Sequence, residues 1–196
     1  MKIKSIHNSF VFKFVDRVNS KGEFERGTTK SGFILQSSAD DSAKLPRWVD
    51  IINAGPSCEF IKTGDRVLLP ALRWTAAGTF DGGKLWKSDE TQVVAIAGVD
   101  QTVQPLGSYL IFKQIKADVQ KSKSGLFVVS NYSDNTPKGV VELIGPDVVS
   151  ELSQSTIYYN DANFFDTFKI DTRTLAFIKE ENVIAYEPAD IVSKKE

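Results

Sequence analysis

The apolar residues of this chain come in short runs and never in helical stripes. No extended window places them at i, i+3, i+4 and i+7 between capping residues, the pattern an amphipathic helix needs. Instead, β-branched and aromatic runs are bounded by Gly, Pro, Asp or Ser. In the first half these are Phe10–Val15, Trp48–Ile52, Arg66–Leu69 and Gln92–Ile96. In the second they are Tyr109–Lys113, Gly139–Ile144, Thr156–Tyr159, Leu175–Ile178 and Val183–Tyr186. The chain is therefore expected to be nearly all β, with little helix.

The two halves align by landmarks. Ser5–Lys13 sits over Pro105–Lys113, an offset of 100, and Gly32 over Gly125, an offset of 93. Gly55 over Gly145 and Val67–Leu69 over Ile157–Tyr159 both give 90, and Val93–Ile96 over Leu175–Ile178 gives 82. The offset changes only across polar or glycine-rich stretches, where loops accept insertions. This reading makes the chain two copies of a five-strand unit, residues 1–98 and 99–196, joined near Ala97 to Gln104.

Two stretches stand apart from the strands. Gly32-Phe33-Ile34-Leu35 lies inside the polar segment Asn19 to Lys44, and Gly125-Leu126-Phe127-Val128 inside the polar segment Ala117 to Asn135. A segment rich in Ser, Lys, Asp, Thr and Gly buries too little apolar surface to order itself, so both segments are expected to be mobile. An apolar triplet on such a tether suits another molecule's groove better than its own core. The competing reading is that the triplets are ordinary strand cores. It is stronger for Leu126–Val128, which runs straight into Val129.

Composition removes several function classes. With 24 basic and 25 acidic side chains in 196 residues, the net charge of -1 lacks the basic excess a general nucleic-acid binder uses to displace counterions. One cysteine, Cys58, allows no intrachain disulfide and fits a reducing compartment. There is no apolar run of membrane-spanning length and no secretory leader at Met1–Ser5, so the cytoplasm is expected, and Asn131-Tyr132-Ser133 should stay unglycosylated. Gly78–Leu85 nearly spells a phosphate-binding loop. However, Leu85 stands where a hydroxyl must reach magnesium and no helix follows, so a hairpin turn is expected there. His7 is the only histidine and is read as a strand-start residue with a local hydrogen bond. Cys58 has no neighbouring base, and the loop carboxylates Asp40, Asp41, Asp161, Asp166 and Asp171 do not have calcium-loop spacing. No catalytic residue, metal or cofactor is expected.

With these landmarks in view, both halves resemble the GroES (chaperonin-10) family of co-chaperonins. Met1–His7 is similar to the family's opening, and Gly125–Val128 resembles the Gly-apolar motif of its mobile loop. Lys138–Gly145 resembles its G-x-V-x-x-V-G strand, Tyr158–Asp161 its F-N-D strand end, Leu175–Ile178 and Asn182–Ala185 its last two strands, and Gly64–Leu69 its G-D-x-V run. The resemblance implies two tandem small β-barrels with long mobile loops and no enzymatic activity. It also implies a ring-forming homo-oligomer that caps a GroEL-like chaperonin through Gly32, Phe33, Ile34, Leu35, Gly125, Leu126, Phe127 and Val128, with unfolded proteins as clients. Phe164, Phe165, Phe168 and Trp74 would face the folding chamber, although hairpin packing is the competing reading for the three phenylalanines.

The chain departs from the family in three expected ways. The joins Pro56–Lys62 and Pro146–Ser155 are too short for the hairpin that roofs the dome, as in some phage-encoded members. The first half has no evident counterpart of Asn182–Glu187, a strand that in single-domain relatives pairs with the neighbouring subunit. Residues 73–88 look like an enlargement carrying two exposed tryptophans, Trp74 and Trp86. The alternative to a chaperonin cap is a structural or virion assembly protein built on the same barrel. A dehydrogenase containing a GroES-like domain is excluded for want of a nucleotide-binding half and zinc ligands.

Overall fold

The computed structural model describes residues 3–16, 18, 24, 45–80, 83–98, 102–115, 119–121, 127–129, 136–160, 167–170 and 173–189. Among these there is no α-helix, only single 3₁₀ turns at Glu90–Gln92, Ser150–Leu152 and Glu180–Asn182. The chain divides into two compact units, Met1–Leu106 with Asp166–Phe168, and the remainder from Gly107.

The first unit holds β1 (Ser9–Phe14), β2 (Arg47–Ala54), β3 (Arg66–Leu69), β4 (Gly78–Phe80), β5 (Gly83–Asp89), β6 (Ala95–Ala97) and β7 (Val103–Pro105). They form one antiparallel sheet in the order β4-β5-β1-β2-β3-β6-β7. In the second half β8 (Tyr109–Ile115), β11 (Lys138–Ile144), β12 (Thr156–Tyr159), β13 (Phe168–Ile170), β14 (Arg173–Lys179) and β15 (Val183–Glu187) form a sheet in the order β13-β14-β8-β11-β12-β15. β9 (Val119–Lys121) and β10 (Phe127–Val129) pair separately as a two-stranded hairpin. No pairing among the described residues joins the ends of either large sheet.

Apart from β7, the two orders are the same list of strands. The repeat extends to irregularities: the ladder between the first two strands skips Ile52 in the first sheet and Glu142 in the second, a bulge at equivalent positions. Just before the first strand the chain turns through positive φ at His7 (52°) and Gly107 (53°). Their carbonyls accept the N–H of Ser57 and Asp147, both at 3.1 Å, a backbone contact between residues far apart in the chain. After the second strand, Gly55 and Gly145 donate to the carbonyls of Ser9 (2.9 Å) and Tyr109 (2.8 Å). A Cβ on either glycine would overlap the carbonyl oxygen of His7 or Gly107, so only glycine fits.

Each sheet buries one core. In the first unit it is Phe10, Phe12, Val49, Ile51, Ile61, Val67, Leu69, Trp86 and Val93. In the second it is Leu110, Phe112, Val141, Val148, Leu152, Ile157, Tyr159, Ala176 and Ile178. Core volume is exchanged between neighbours: Val49 and Leu69 correspond to Gly139 and Tyr159. Gly139 has no room for a Cβ beside Phe112, whose ring lies 5.0 Å from that of Tyr159.

The structure corrects four expectations. The counterpart of Leu175–Ile178 is Leu85–Ser88 in β5, not Val93–Ile96, so the offset stays at 90 from Gly55 through β5 and the 3₁₀ turn that follows. The first unit does not lack its last strand: β6 pairs with β3 as β15 pairs with β12. Residues 73–88 are not an enlargement but contain the β4–β5 hairpin, whose equivalent is β13–β14. The tryptophans there are not exposed, since Trp86 is buried and Trp74 packs against the first core. The misreading has a simple cause: Gly83-Lys84-Leu85-Trp86-Lys87-Ser88-Asp89 has one apolar pair and becomes a strand through its pairing with β1. The first sheet also runs past residue 98, because Val103–Pro105 adds an edge strand to β6.

Candidate functional site

The features that distinguish this fold lie at the same place in both units, in the connections leaving the sheet between its first and second strands. These are residues 15–46 between β1 and β2, and residues 116–137 between β8 and β11. Gly32, Phe33, Ile34 and Leu35 in the first, and Gly125 and Leu126 in the second, lie outside the described residues, as do Phe164 and Phe165. Phe127 and Val128 belong to β10, where they oppose Lys121 and Gln120 of β9. Phe168 is buried within β13, and Trp74 is partly buried.

The root of the first connection is held by several contacts. The Val15 N–H donates to the Trp48 carbonyl at 3.1 Å, extending the β1–β2 ladder by one step. Arg47, the first residue of β2, donates to the Asp16 carboxylate at 2.6 Å, and its side chain is only 13% exposed. The same guanidinium lies 4.0 Å from the ring centre of Phe24, and Phe24 itself is bridged to Val18. The Phe24 ring packs edge-on to Phe14 (4.8 Å) and Trp74 (6.4 Å), and Phe14 packs on Trp74 (5.1 Å) and Trp86 (4.7 Å). Aromatic pairs in this geometry add about 0.5–1.5 kcal/mol each beyond area burial.

The sequence pattern marks neither Phe24 nor Arg47, places Phe14 only within a strand, and presents Trp86 as exposed. One signal was available: Phe10, Phe12 and Phe14 alternate along one strand, placing all three rings on a single face. The partner Phe24 comes from the connection, and no period announces it.

A second fixture lies at the other side of the first unit. The Glu90 carboxylate accepts the consecutive backbone N–H groups of Glu59 (3.0 Å), Phe60 (2.7 Å) and Ile61 (3.0 Å), closing the join between β2 and β3. In the second unit the Glu180 carboxylate accepts, among the described residues, only the Val149 N–H, at 3.2 Å. Neither join, residues 55–65 or 145–155, contains a strand. Cys58 sits beside Glu90. Burial pushes its thiol pKa up, Glu90 and Asp89 push it further, and a backbone hydrogen bond to Gly55 opposes them.

A shallow groove of about 390 Å³ runs beside the cluster, lined by Ile6, Ser9, Trp74, Lys87 and Asp89 among others. The Gly78–Leu85 segment is a hairpin, with Phe80 opposite Gly83. Among the described residues no group of three or more His, Cys, Asp or Glu side chains is placed to hold a metal, and no helix is long and apolar enough to cross a membrane. No protein-family model matches the chain, and no curated protein matches it.

Proposed function

We propose that this chain is a tandem co-chaperonin of the GroES-like type, each unit a small barrel, that caps a chaperonin ring and assists ATP-dependent folding of enclosed client proteins. One observation carries the reading. The same sheet order occurs twice, and in both units the long connection between first and second strands carries a glycine followed by three apolar residues.

The physical logic is that of a reversible lid. Three apolar side chains release about 5 kcal/mol if fully buried, while ordering a tether costs about 1–2 kcal/mol per fixed residue. One triplet therefore binds weakly. Several displayed together raise avidity by about 10²–10⁴ through effective concentration, which gives firm capture that a change in the partner can undo. The activity is binding, with no catalytic residue or cofactor, and the compartment is the host cytoplasm if the chain is phage-encoded.

Ring formation has support in the repeat. β7 stands in the second half where Ile3–Ser5 stands in the first, and it pairs with β6. β15, the equivalent of β6, has no strand on its other edge among the described residues, and its Ile184 and Tyr186 are 63% and 43% exposed. Pairing of Ile3–Ser5 from a second copy with β15 would repeat the β6–β7 contact head to tail and close a ring of fused pairs.

The test is capture by a bacterial chaperonin in the presence of nucleotide. The wild-type chain is expected to form a stable complex. Ile34→Ser and Phe127→Ser should each weaken capture by about tenfold or more, the effect of losing one buried apolar side chain. Failure to bind, or binding indifferent to both substitutions, would favour the assembly-protein alternative.

A further inference from the structure

One groove of the first unit is lined by side chains that the fold itself does not use. We propose that it docks an acidic segment of a partner protein. An aromatic side chain of that segment lies between Ile6 and Trp74, and its flanking carboxylates meet Arg73 and Lys87. This role is independent of the co-chaperonin reading. The groove has a volume of about 390 Å³ and is lined by those residues together with His7 and Asp89. Its apolar wall is open to water, since Ile6 is 61% exposed. Trp and Arg are the side chains that most often anchor protein interfaces.

The charges are available. Among the described residues the Arg73 guanidinium and the Lys87 ammonium make no ion pair or hydrogen bond, yet the backbone of each is held. The Arg73 carbonyl accepts the Ser88 hydroxyl at 2.6 Å, and the Lys87 carbonyl accepts the Thr75 N–H at 2.9 Å. Asp89 is already committed. Its Oδ1 accepts Asn8 Nδ2 (3.0 Å), the Thr91 N–H (3.1 Å) and the Thr91 hydroxyl (2.8 Å). The side chains left to meet a partner are therefore positive, and charge complementarity selects an acidic one.

Backbone strain gathers at the same place. Three described non-glycine residues have positive φ; of these His7 (52°) lines the groove and Leu72 (60°) immediately precedes Arg73. The second unit places Gly107 where His7 stands, and glycine takes this conformation without strain. The second unit also closes the equivalent positions. Ser9 lies opposite Asp89 and Val11 opposite Lys87, as Tyr109 lies opposite Lys179 and Ile111 opposite Phe177. Tyr109 and Phe177 meet edge-on at 6.0 Å, and the Lys179 ammonium lies 5.7 Å from the Tyr109 ring centre. An aromatic at the Trp74 position is common to the repeat, because Phe164, outside the described residues, stands there in the second half. What differs is the floor. Ser9, Lys87 and Asp89 leave a groove where Tyr109, Phe177 and Lys179 pack on one another.

The test titrates the full chain, labelled with 5-fluorotryptophan, with the end-capped peptide Glu-Phe-Glu and follows the three tryptophan fluorine signals. The Trp74 signal is expected to shift saturably while the Trp48 signal stays. Lys-Phe-Lys and Glu-Ala-Glu should each bind about tenfold more weakly or worse, through reversed charge and lost apolar burial. Arg73→Glu combined with Lys87→Glu should weaken Glu-Phe-Glu by about tenfold or more. The thermal midpoint should hold, because both side chains are exposed. An unmoved Trp74 signal, equal affinity for the basic peptide, or indifference to the charge reversal overturns the proposal. Phenylacetate binding as tightly as the peptide would assign the groove to a small carboxylate and overturn it as well.

Discussion

The two units agree in backbone and differ in what is fastened to it. Glu90 and Glu180 both donate their N–H to the residue before the first strand, Asn8 (3.0 Å) and Ser108 (2.9 Å). Gly64 and Gln154 occupy equivalent positive-φ positions ahead of the third strand. Ile51 and Val141 donate to the carbonyls of Asp65 (2.9 Å) and Ser155 (3.0 Å), again equivalent places. Yet in the first unit a carboxylate gathers three amides where in the second it gathers one. Phe14, Phe24, Trp74 and Trp86 pack together in the first unit, and Gln114 and Ala176 stand where Phe14 and Trp86 do in the second. The edge strand β6 is covered by β7, whereas β15 has no strand beyond it among the described residues. The lesson is that close backbone approaches fix a repeated frame tightly, while loop fastenings can diverge because they only have to suit their own unit.

The largest effect should come where the frames coincide. Gly55→Ala and Gly145→Ala each drive a Cβ into a backbone carbonyl that cannot swing aside, and each should destabilise its unit by about 3 kcal/mol in denaturant unfolding. Tolerance at one glycine and not the other would break the equivalence.

The next effect should separate the units. Glu90→Gln removes a buried carboxylate that accepts three backbone N–H groups, and a cost of about 2 kcal/mol is expected. Glu180→Gln, with a single contact at an exposed site, should cost at most about 0.5 kcal/mol. Equal costs would mean that the second join relies on its carboxylate as heavily as the first.

The smallest effect sharpens the picture around Glu90. Because burial first, and then Glu90 and Asp89, hold the Cys58 thiol protonated, its alkylation rate should climb with pH through the ordinary thiol pKa of 9.0 and level off only above it. In Glu90→Gln the midpoint should move down while staying above that value, since burial is the larger cause. A midpoint that ignores the substitution would place Glu90 away from the thiol.

Much of the frame was legible in the sequence. β3 and β12 fall on the residues expected of them, Arg66–Leu69 and Thr156–Tyr159, because both are apolar runs bounded by turn residues. β7 and β13 were not legible, and of β4 and β5 only the hairpin turn that joins them was. Gly78–Phe80 and Val103–Pro105 are too short and too mixed to carry a period, and they are strands only because a neighbour offers its unpaired edge. Of the candidate site, the triplets and their glycines stand out in the sequence against polar surroundings, and all but Phe127 and Val128 lie outside the described residues. The Phe24–Arg47 contact could not, since nothing local makes residue 24 return to residue 14.

The sequence by itself determined an all-β chain built from two related halves, because side-chain alternation and glycine placement act locally and repeat along the chain. The tertiary structure alone decided where the first sheet stops, that residues 73–88 supply a hairpin of the frame, and which aromatic ring the first connection brings back to its root. Those outcomes depend on hydrogen-bond partners and packing surfaces contributed by residues far apart in the chain, and such pairings leave no period to read.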